Sequence, residues 1–368
     1  MSFRFRVGAR RPVSWSTSVL VAPGALDAAA RAIAADHGSS RKIVVSDARV
    51  ARLYGRRFLR LVARHSGTAT LMTFPAGERS KTRETKARLE DRLVELGAGK
   101  DTVVVALGGG VTGALAGFLA ATWARGVPFV VIPTSLLAMV DAALGGKTAV
   151  DLPHAKNIVG AFHQPVSLWA DVRVLETLPA RAYGAGLAEA VKTAAVLDAG
   201  LFRYLEASVA ALLHREERAT AATVARCLAL KGRLVSRDER DTGVRAALNF
   251  GHTAAHAIEA ASDYGVPHGE AVAIGLVAEA RLAQRLTGFP ASQASRIEAL
   301  LRAFGLPVRP PRRLDPERLL RAFLVDKKTR GGTARCALPL SLGRMPKGSD
   351  TTVSVDSTRD LLPLLAQN

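Results

Sequence analysis

The chain has 368 residues, of which 48% are hydrophobic and 23% charged; this predicts two domains and excludes a disordered or collagen-like chain. Its two cysteines, Cys227 and Cys336, are too few for a disulfide framework or a cysteine-rich zinc site. Because arginines interrupt the opening segment and no apolar run approaches the ~20 residues of a membrane helix, we expect a soluble, cytoplasmic protein without a membrane partner. The formal charge of +19 comes mostly from single arginines among Ala and Leu, so it favours a small anionic ligand over nucleic acid.

Four apolar runs in the first half predict buried strands. They are KIVVSD (42–47), ATLMTFPAG (69–77), DTVVVALGGG (101–110) and PFVVIPTS (128–135). Amphipathic segments lie between them, notably residues 80–99, which end in a glycine-rich stop. This alternation predicts an α/β, Rossmann-like domain with a parallel sheet.

In the second half of the chain, hydrophobic residues recur with the period of an α-helix. Residues 185–208 and 269–286 show this period most clearly, and it continues to about residue 325. We therefore predict an α/β domain over residues 1–175 and an all-α domain over residues 176–368. The segment RCALPLSLG (335–343) predicts one or two late strands.

A glycine-rich turn follows the third predicted strand. GGGVTG (108–113) opens a helical segment, and such a turn lets the backbone approach a phosphate at a helix N-terminus. It lacks the G-x-G-x-x-G spacing of a dinucleotide-binding turn, so a tight turn without a ligand remains an alternative.

A second glycine-containing segment resembles the end of a P-loop. GGKTAV (145–150) lacks the glycine four residues before GKT, which argues against nucleoside triphosphate hydrolysis. Lys147 is predicted on a flexible loop near Asp141, with Lys156 and Asn157 close by, and this set could hold an oxyanion. An ordinary lysine-bearing surface loop is the alternative.

Three histidines and one glutamate stand out in the helical half. His252 and His256 are four residues apart, on one helix face, and Thr253 replaces the glutamate of a zincin metalloprotease. Glu189 and His268 could complete a site for Zn²⁺ that leaves positions open for a substrate. From residue types alone, a metal site and a set of satisfied core histidines both remain possible.

Together these segments resemble 3-dehydroquinate synthase and its relatives, the sugar phosphate cyclases. The resemblance runs from about residue 42 to 343, and its motifs keep their order. They are GERSK (77–81), GGGVTGALAGFLAATWARG (108–126), IPTSLLAMVDAALGGKTAVD (132–151), KNIVGAFHQP (156–165), TLPARAYGAGLAEAVK (177–192), LNFGHTAAHAIEA (248–260), HGEAVAIG (268–275) and DKK (326–328).

The resemblance implies an NAD-binding first domain and a second domain that binds metal and substrate. The implied ligands of Zn²⁺ (or Co²⁺) are Glu189, His252 and His268. The implied NAD contacts are Asp47, Glu78, Lys81, Gly109, Gly110, Val111, Thr134, Ser135 and Thr177. The implied catalytic residues are Asp141, Lys147, Lys192, Lys231, Arg245, Asn249 and His256. The implied phosphate and carboxylate contacts are Arg125, Lys156, Asn157, Lys327 and Lys328.

The implied reaction is the cyclisation of 3-deoxy-D-arabino-heptulosonate 7-phosphate to 3-dehydroquinate with release of phosphate, in the shikimate pathway. The metal acidifies a substrate alcohol, and NAD accepts a hydride and later returns it. The family resemblance also implies a homodimer, with Arg125 reaching across the interface. Ala114 departs from the motif, because the family usually has an aspartate there that helps to bind NAD.

Other functions compete with this one. The same fold serves cyclases of secondary metabolism, of the amino-dehydroquinate, 2-deoxy-scyllo-inosose and epi-valiolone synthase types. A substrate without a carboxylate would not need Lys231 and Arg245 together, and both are present. A polyol or iron-type alcohol dehydrogenase would share the two-domain plan but lack the residues at positions 147, 156 and 157.

Overall fold

The computed structural model describes residues 15–66, 68–153, 155–311, 314–325, 333–348 and 351–366. The strands in these ranges are β1 Ser18–Val21, β2 Arg41–Asp47, β3 Ala69–Phe74, β4 Thr102–Gly108, β5 Phe129–Pro133, β6 Lys147–Leu152, β7 Ala155–Phe162, β8 Ser167–Ala170, β9 Thr333–Cys336 and β10 Val353–Asp356. Six of them form one parallel sheet in the order β1-β8-β5-β4-β2-β3. The predicted parallel sheet is confirmed.

The four strands predicted from apolar runs are β2, β3, β4 and β5, which lie side by side in this sheet. All seven residues of β4 are buried, as expected for a central parallel strand covered on both faces. The apolar runs do not predict β1 and β8. Each has only four residues, and three of the four β1 residues are exposed at the sheet edge, so neither carries a strong hydrophobic pattern.

Helices cover the sheet and make up most of the second half. They are α1 Ala25–Asp36, α2 Ala48–Val50, α3 Arg56–Ser66, α4 Arg83–Glu95, α5 Gly110–Thr122, α6 Ala180–Leu197, α7 Ala199–Ala207, α8 Val209–Leu213, α9 Glu217–Arg237, α10 His252–Ala261, α11 His268–Leu286, α12 Ala291–Ala303, α13 Pro316–Val325 and α14 Leu362–Ala366. Single 3₁₀ or π turns include Glu78–Ser80, Ala138–Ala142, Val172–Thr177 and Val244–Asn249. Within the described ranges, no helix has the length and apolarity that crossing a bilayer would need.

The predicted helical segments are present, with one break. The segment 185–208 forms two helices, α6 and α7, which meet at Asp198. The Asp198 carboxylate accepts hydrogen bonds from the backbone N–H groups of Gly200, at 2.7 Å, and Leu201, at 3.0 Å. A side chain that caps a new helix start explains why one continuous period becomes two helices.

The strand order reverses between β2 and β4. The chain continues from β2 outward to β3 on one side, and from β4 to β5 and β8 on the other. In open α/β sheets, ligands bind in the crevice that such a reversal opens at the carboxyl ends of the strands. The glycine turn at residues 108–110 ends β4 and therefore lies at this crevice.

Strands β6 and β7 pair as an antiparallel hairpin, β6–β7. The prediction of a loop at Lys147 is wrong, since Lys147 is the first residue of β6 and pairs with Phe162. Lys147, Lys156 and Gly160 interrupt the strand pattern of the hairpin, and Gly117 of α5 allows Thr148 to pack against that helix. A late strand was predicted within residues 335–343, but β9 ends at Cys336 and pairs with β10.

Candidate functional site

The crevice between β2 and β4 gathers several of the predicted NAD contacts. Gly109 occupies the N-cap of α5 and offers no side chain, so the amides of the first turn can face an anion. Gly110 and Val111 begin that helix. Ser135 lies against Gly109, where an added Cβ would sit 3.4 Å from the Ser135 hydroxyl oxygen. The backbone N–H of Thr134 donates to the Gly108 carbonyl at 2.9 Å.

Asp47 ends β2 on the other side of the crevice. Its carboxylate accepts from the backbone N–H groups of Arg49 and Val50 at 3.0 Å, and the Thr112 hydroxyl of α5 lies 3.5 Å away. Thr177 ends a 3₁₀ turn, and its hydroxyl is 2.7 Å from the hydroxyl of Tyr54, on the segment that follows Asp47 and α2. Asp47 thus joins the glycine turn, whereas Thr177 contacts the segment after α2.

Three residues form a compact set of metal-ligand donors. Glu189 of α6, His252 of α10 and His268 of α11 each offer one donor atom, and all three atoms lie within 4.8 Å of one another. The Nε2 atoms of His268 and His252 lie 3.1 and 3.6 Å from Glu189 Oε1. One carboxylate and two imidazoles that converge on one point fit Zn²⁺ or Co²⁺ with open positions.

The outward nitrogens of both histidines have partners. His252 Nδ1 lies 3.2 Å from the Phe250 carbonyl oxygen, and His268 Nδ1 lies 3.3 Å from Glu259 Oε2. Such partners orient a metal-binding imidazole and leave Nε2 for the ion. Both histidines therefore present the same nitrogen toward Glu189, which supports a shared metal rather than satisfied core side chains.

The pKa values of the three donors reflect their surroundings. Burial lowers the pKa of His252 to about 4. Burial also opposes the charge of His268, but its bonds to Glu189 and Glu259 outweigh this effect and raise its pKa to about 10. Burial alone would raise the pKa of Glu189, yet Lys192 and the histidines hold it well below its usual value.

Asp141 connects the donor set to two buried lysines. It lies on the π turn after β5, and Gly186 of α6 lets Leu136 and Leu137, just before that turn, pack closely against the helix. Lys192 Nζ lies 3.3 Å from Asp141 Oδ2 and 2.6 Å from Glu189 Oε2. Lys231 of α9 pairs with Asp141 Oδ1 and donates to its backbone carbonyl at 2.6 Å. Burial opposes ionisation of Asp141, but the two ammonium groups hold its pKa below its usual range.

Two further cations predicted in the site, Arg245 and Lys147, lie near the start of the hairpin. Arg245 is buried and donates to the carbonyl oxygens of Gly145, at 3.1 Å, and Glu239, at 2.6 Å. Lys147 is half exposed and forms an ion pair with Asp241. Both contacts tie the helical half to the first residues of the hairpin.

The other end of the hairpin carries a second polar cluster. The Lys81 ammonium is buried and donates to Asn157 Oδ1 at 2.9 Å, and it also pairs with Glu78 and Asp151. Asn157 has a left-handed backbone, φ 56°, and its N–H donates to Asp151 at 2.8 Å. Glu78 and Lys81, predicted to contact NAD, thus contact residues predicted to bind substrate.

Lys156 reaches from the hairpin to the helical half. Its ammonium lies 3.8 Å from Glu259 Oε1 and 3.8 Å from the centre of the Tyr264 ring. Because Glu259 also contacts His268, this lysine lies one side chain away from the donor set. A substrate phosphate near Lys156 would therefore be close to a predicted metal ligand.

The remaining predicted residues are distributed as follows. The His256 ring packs edge-on against His252 with centroids 5.7 Å apart, which places His256 beside the donor set. Asn249 ends the 3₁₀ turn that precedes His252. Arg125 is exposed and has a left-handed backbone, φ 68°. Lys327 and Lys328 lie outside the described residues.

Sequence reasoning missed four acidic partners in these networks. Asp151, Asp241, Glu259 and Glu279 each contact a predicted site residue or the backbone beside one. Glu259 carried a local signal, because it follows His256 by one helical turn. Asp151 is near Asn157 in sequence, whereas Asp241 and Glu279 are distant in sequence from the residues that they contact.

Comparison with known proteins agrees with this arrangement. Residues 71–185 match the family described as 3-dehydroquinate synthase N-terminal, and residues 186–329 match 3-dehydroquinate synthase C-terminal. The chain is 44% identical over 323 residues to a 3-dehydroquinate synthase of Pelobacter propionicus, covering 87% of this chain and 89% of the relative. A 3-dehydroquinate synthase of Bordetella pertussis is also 44% identical, covering 89% and 91%.

Solved structures of related cyclases have the same fold. A 2-deoxy-scyllo-inosose synthase in complex with carbaglucose-6-phosphate, NAD⁺ and Co²⁺ superposes with a TM-score of 0.84, at 27% identity and 95% coverage of both chains. A 2-epi-5-epi-valiolone synthase from Streptomyces hygroscopicus with NAD⁺ and Zn²⁺ bound has a TM-score of 0.83, at 30% identity and 98% coverage of both. The chain belongs to the 3-dehydroquinate synthase family.

Proposed function

We propose that this protein is a 3-dehydroquinate synthase, which converts 3-deoxy-D-arabino-heptulosonate 7-phosphate to 3-dehydroquinate and phosphate. The observation that carries the proposal is the convergence of Glu189, His252 and His268 beside buried Lys192. When bound, a Zn²⁺ or Co²⁺ ion would supply Lewis acidity and NAD would supply reversible hydride transfer. No net oxidation results, because the hydride returns to the substrate in each cycle.

The proposed site residues fall into three groups. Glu189, His252 and His268 hold the metal. The NAD contacts are Asp47, Glu78, Lys81, Gly109, Gly110, Val111, Thr134, Ser135 and Thr177. The substrate contacts are Arg125, Asp141, Lys147, Lys156, Asn157, Lys192, Lys231, Arg245, Asn249, His256, Lys327 and Lys328. The excess of cations in the third group suits a substrate with a phosphate and a carboxylate.

Burial of the cations supports the choice of this substrate. Lys231 and Arg245 are buried, and burial lowers the pKa of each. A buried cation costs free energy unless an anion offsets the lost hydration. Lys231 already pairs with Asp141, but the side-chain hydrogen bonds described for Arg245 go to neutral carbonyl oxygens. An incoming carboxylate would supply a countercharge beside Arg245, whereas a neutral sugar carbon would not.

The second candidate is a cyclase of secondary metabolism. The two superposed cyclases, at TM-scores of 0.84 and 0.83, support it. Residues 1–175 would in either case bind NAD, and residues 176–368 metal and substrate. We also propose a homodimer in which Arg125 reaches the partner subunit, and a cytoplasmic location, which the low cysteine content favours.

A phosphate-release assay tests the proposal. The heptulosonate phosphate, its amino analogue, glucose 6-phosphate and sedoheptulose 7-phosphate are compared side by side with Zn²⁺ and NAD⁺ present. We expect phosphate release from the heptulosonate alone, without accumulation of NADH. Release from another sugar phosphate would support the second candidate, and steady NADH production would indicate a dehydrogenase instead.

A further inference from the structure

The two histidines of the donor set are the first residues of two packed helices. His252 begins α10 and His268 begins α11. Gly251 precedes α10 in a left-handed conformation, φ 80°, and as a glycine it provides no side chain to cap the helix. The position of His252 therefore depends on what holds the start of α10.

Glu279 of α11 supplies that cap. Its carboxylate accepts hydrogen bonds from the backbone N–H of Gly251 at 2.7 Å and of Ala254 at 3.0 Å. Glu279 is fully buried, at 0% exposure. It follows His268 by about three helical turns, so both side chains leave α11 on the same face, toward α10.

The two helices also touch backbone to backbone beside this cap. A Cβ added to Gly275 of α11 would overlap the Gly251 carbonyl oxygen, and one added to Gly251 would lie 2.9 Å from the Leu276 backbone nitrogen. Close packing sets the separation of the helices, and the two hydrogen bonds to Glu279 fix their register. Together they determine where His252 stands relative to His268.

We propose that Glu279 is a positioning residue for the metal site, acting through the start of α10 to hold His252 within reach of the ion. This proposal rests on the proposed metal ligands, and it adds a residue that touches neither ion nor substrate. A metal ligand set loses affinity when the groups that orient its members are removed. A carboxylate on α11 thus couples the geometry of both histidines.

The chain contains a matched control for this arrangement. Gly24 precedes α1 with φ 79° and no capping side chain of its own. The distant Asp171 accepts from the backbone N–H of Gly24 at 2.9 Å and of Leu26 at 3.1 Å, and it is 4% exposed. Asp171 is therefore a buried carboxylate that caps a glycine-started helix without any histidine ligand.

The test compares Glu279→Gln with Asp171→Asn in the full-length chain. Zn²⁺ affinity is measured by chelator competition, and the ligand field is monitored from the visible absorption of the Co²⁺-loaded protein. We expect Glu279→Gln to lower Zn²⁺ affinity about 10-fold or more and to change the Co²⁺ spectrum. Asp171→Asn should lower thermal stability and leave both metal readouts unchanged.

Equal metal affinity in Glu279→Gln and wild type would overturn the proposal, as would an equal loss in both variants. If Glu279→Gln does not fold, Glu279→Asp is measured instead, because it keeps the charge on a shorter side chain. Wild-type Zn²⁺ affinity in Glu279→Asp would also overturn the proposal. His268→Ala separates the two proposals. If it bound Zn²⁺ as tightly as wild type, the ligand set itself would be wrong, whatever Glu279 does.

Discussion

Replacing Asp141 by asparagine tests how the buried charges beside the donor set are balanced. Lys192 would keep Glu189 as a partner at 2.6 Å. Lys231 would keep only neutral oxygens among its described contacts, including the Asp141 carbonyl at 2.6 Å. Its side chain is 8% exposed, so water replaces the lost charge poorly. Among the described residues, the substitution therefore leaves the buried ammonium group of Lys231 without a negatively charged partner.

Removing one partner of a buried ion pair costs about 3–5 kcal/mol of unfolding free energy. We expect a loss near 3 kcal/mol, because Lys231 keeps the carbonyl and can gain the amide oxygen. Urea denaturation measures this loss. The control is Glu217→Gln, since Glu217 and Arg173 form an exposed ion pair, which water screens and which contributes little to stability. A loss in Asp141→Asn no larger than in the control would show that Lys231 does not depend on the Asp141 charge.

The loss should also depend on pH. Burial lowers the pKa of Lys231 in the folded chain, and removal of the Asp141 charge takes away an interaction that raises it. At low pH Lys231 of the variant is charged in both the folded and the unfolded chain. The folded state is then destabilised by the full free energy of an unpaired buried charge. As pH rises from the folded pKa toward about 10.4, the unfolded chain binds the extra proton, so the variant regains stability. A pH-independent difference from wild type would contradict this account.

Four other outcomes follow from the site and the packing around it. Chelation should abolish turnover and Zn²⁺ or Co²⁺ should restore it, and His268→Ala should bind less metal by elemental analysis. His256→Ala should keep its metal but lose phosphate release, because we assign His256 to the substrate phosphate. Ala114→Asp should tighten NAD⁺ by up to about tenfold in a titration if about 1.4 kcal/mol of hydrogen bonding is gained; equal affinities would show that Ala114 causes no defect. Gly117→Ala should destabilise the chain by about 1–3 kcal/mol in urea denaturation, because the added Cβ would overlap Thr148; an unchanged midpoint would count against close packing there.

Local patterns predicted most of the parallel sheet. Buried parallel strands such as β4 are continuous apolar runs, and the glycine turn itself predicts that a helix starts after it. The hairpin β6–β7 was not predicted because Gly160 and two lysines interrupt its alternation, and both of its strands pack against the distant α5. Short edge strands such as β1 have too few residues for a pattern.

The fold class, the glycine turn and the candidate metal ligands Glu189, His252 and His268 can all be predicted without a structure. These depend on residue type, on spacing over a few residues, and on motifs that keep their order along the chain. Which charged side chains contact each other depends instead on how distant segments pack in three dimensions. Asp141 pairs with Lys231 across 90 residues of sequence, and Glu279 reaches Gly251 across 28. No local period encodes such pairs, because they form where packed helices and strands exclude water and leave each buried charge dependent on a distant partner.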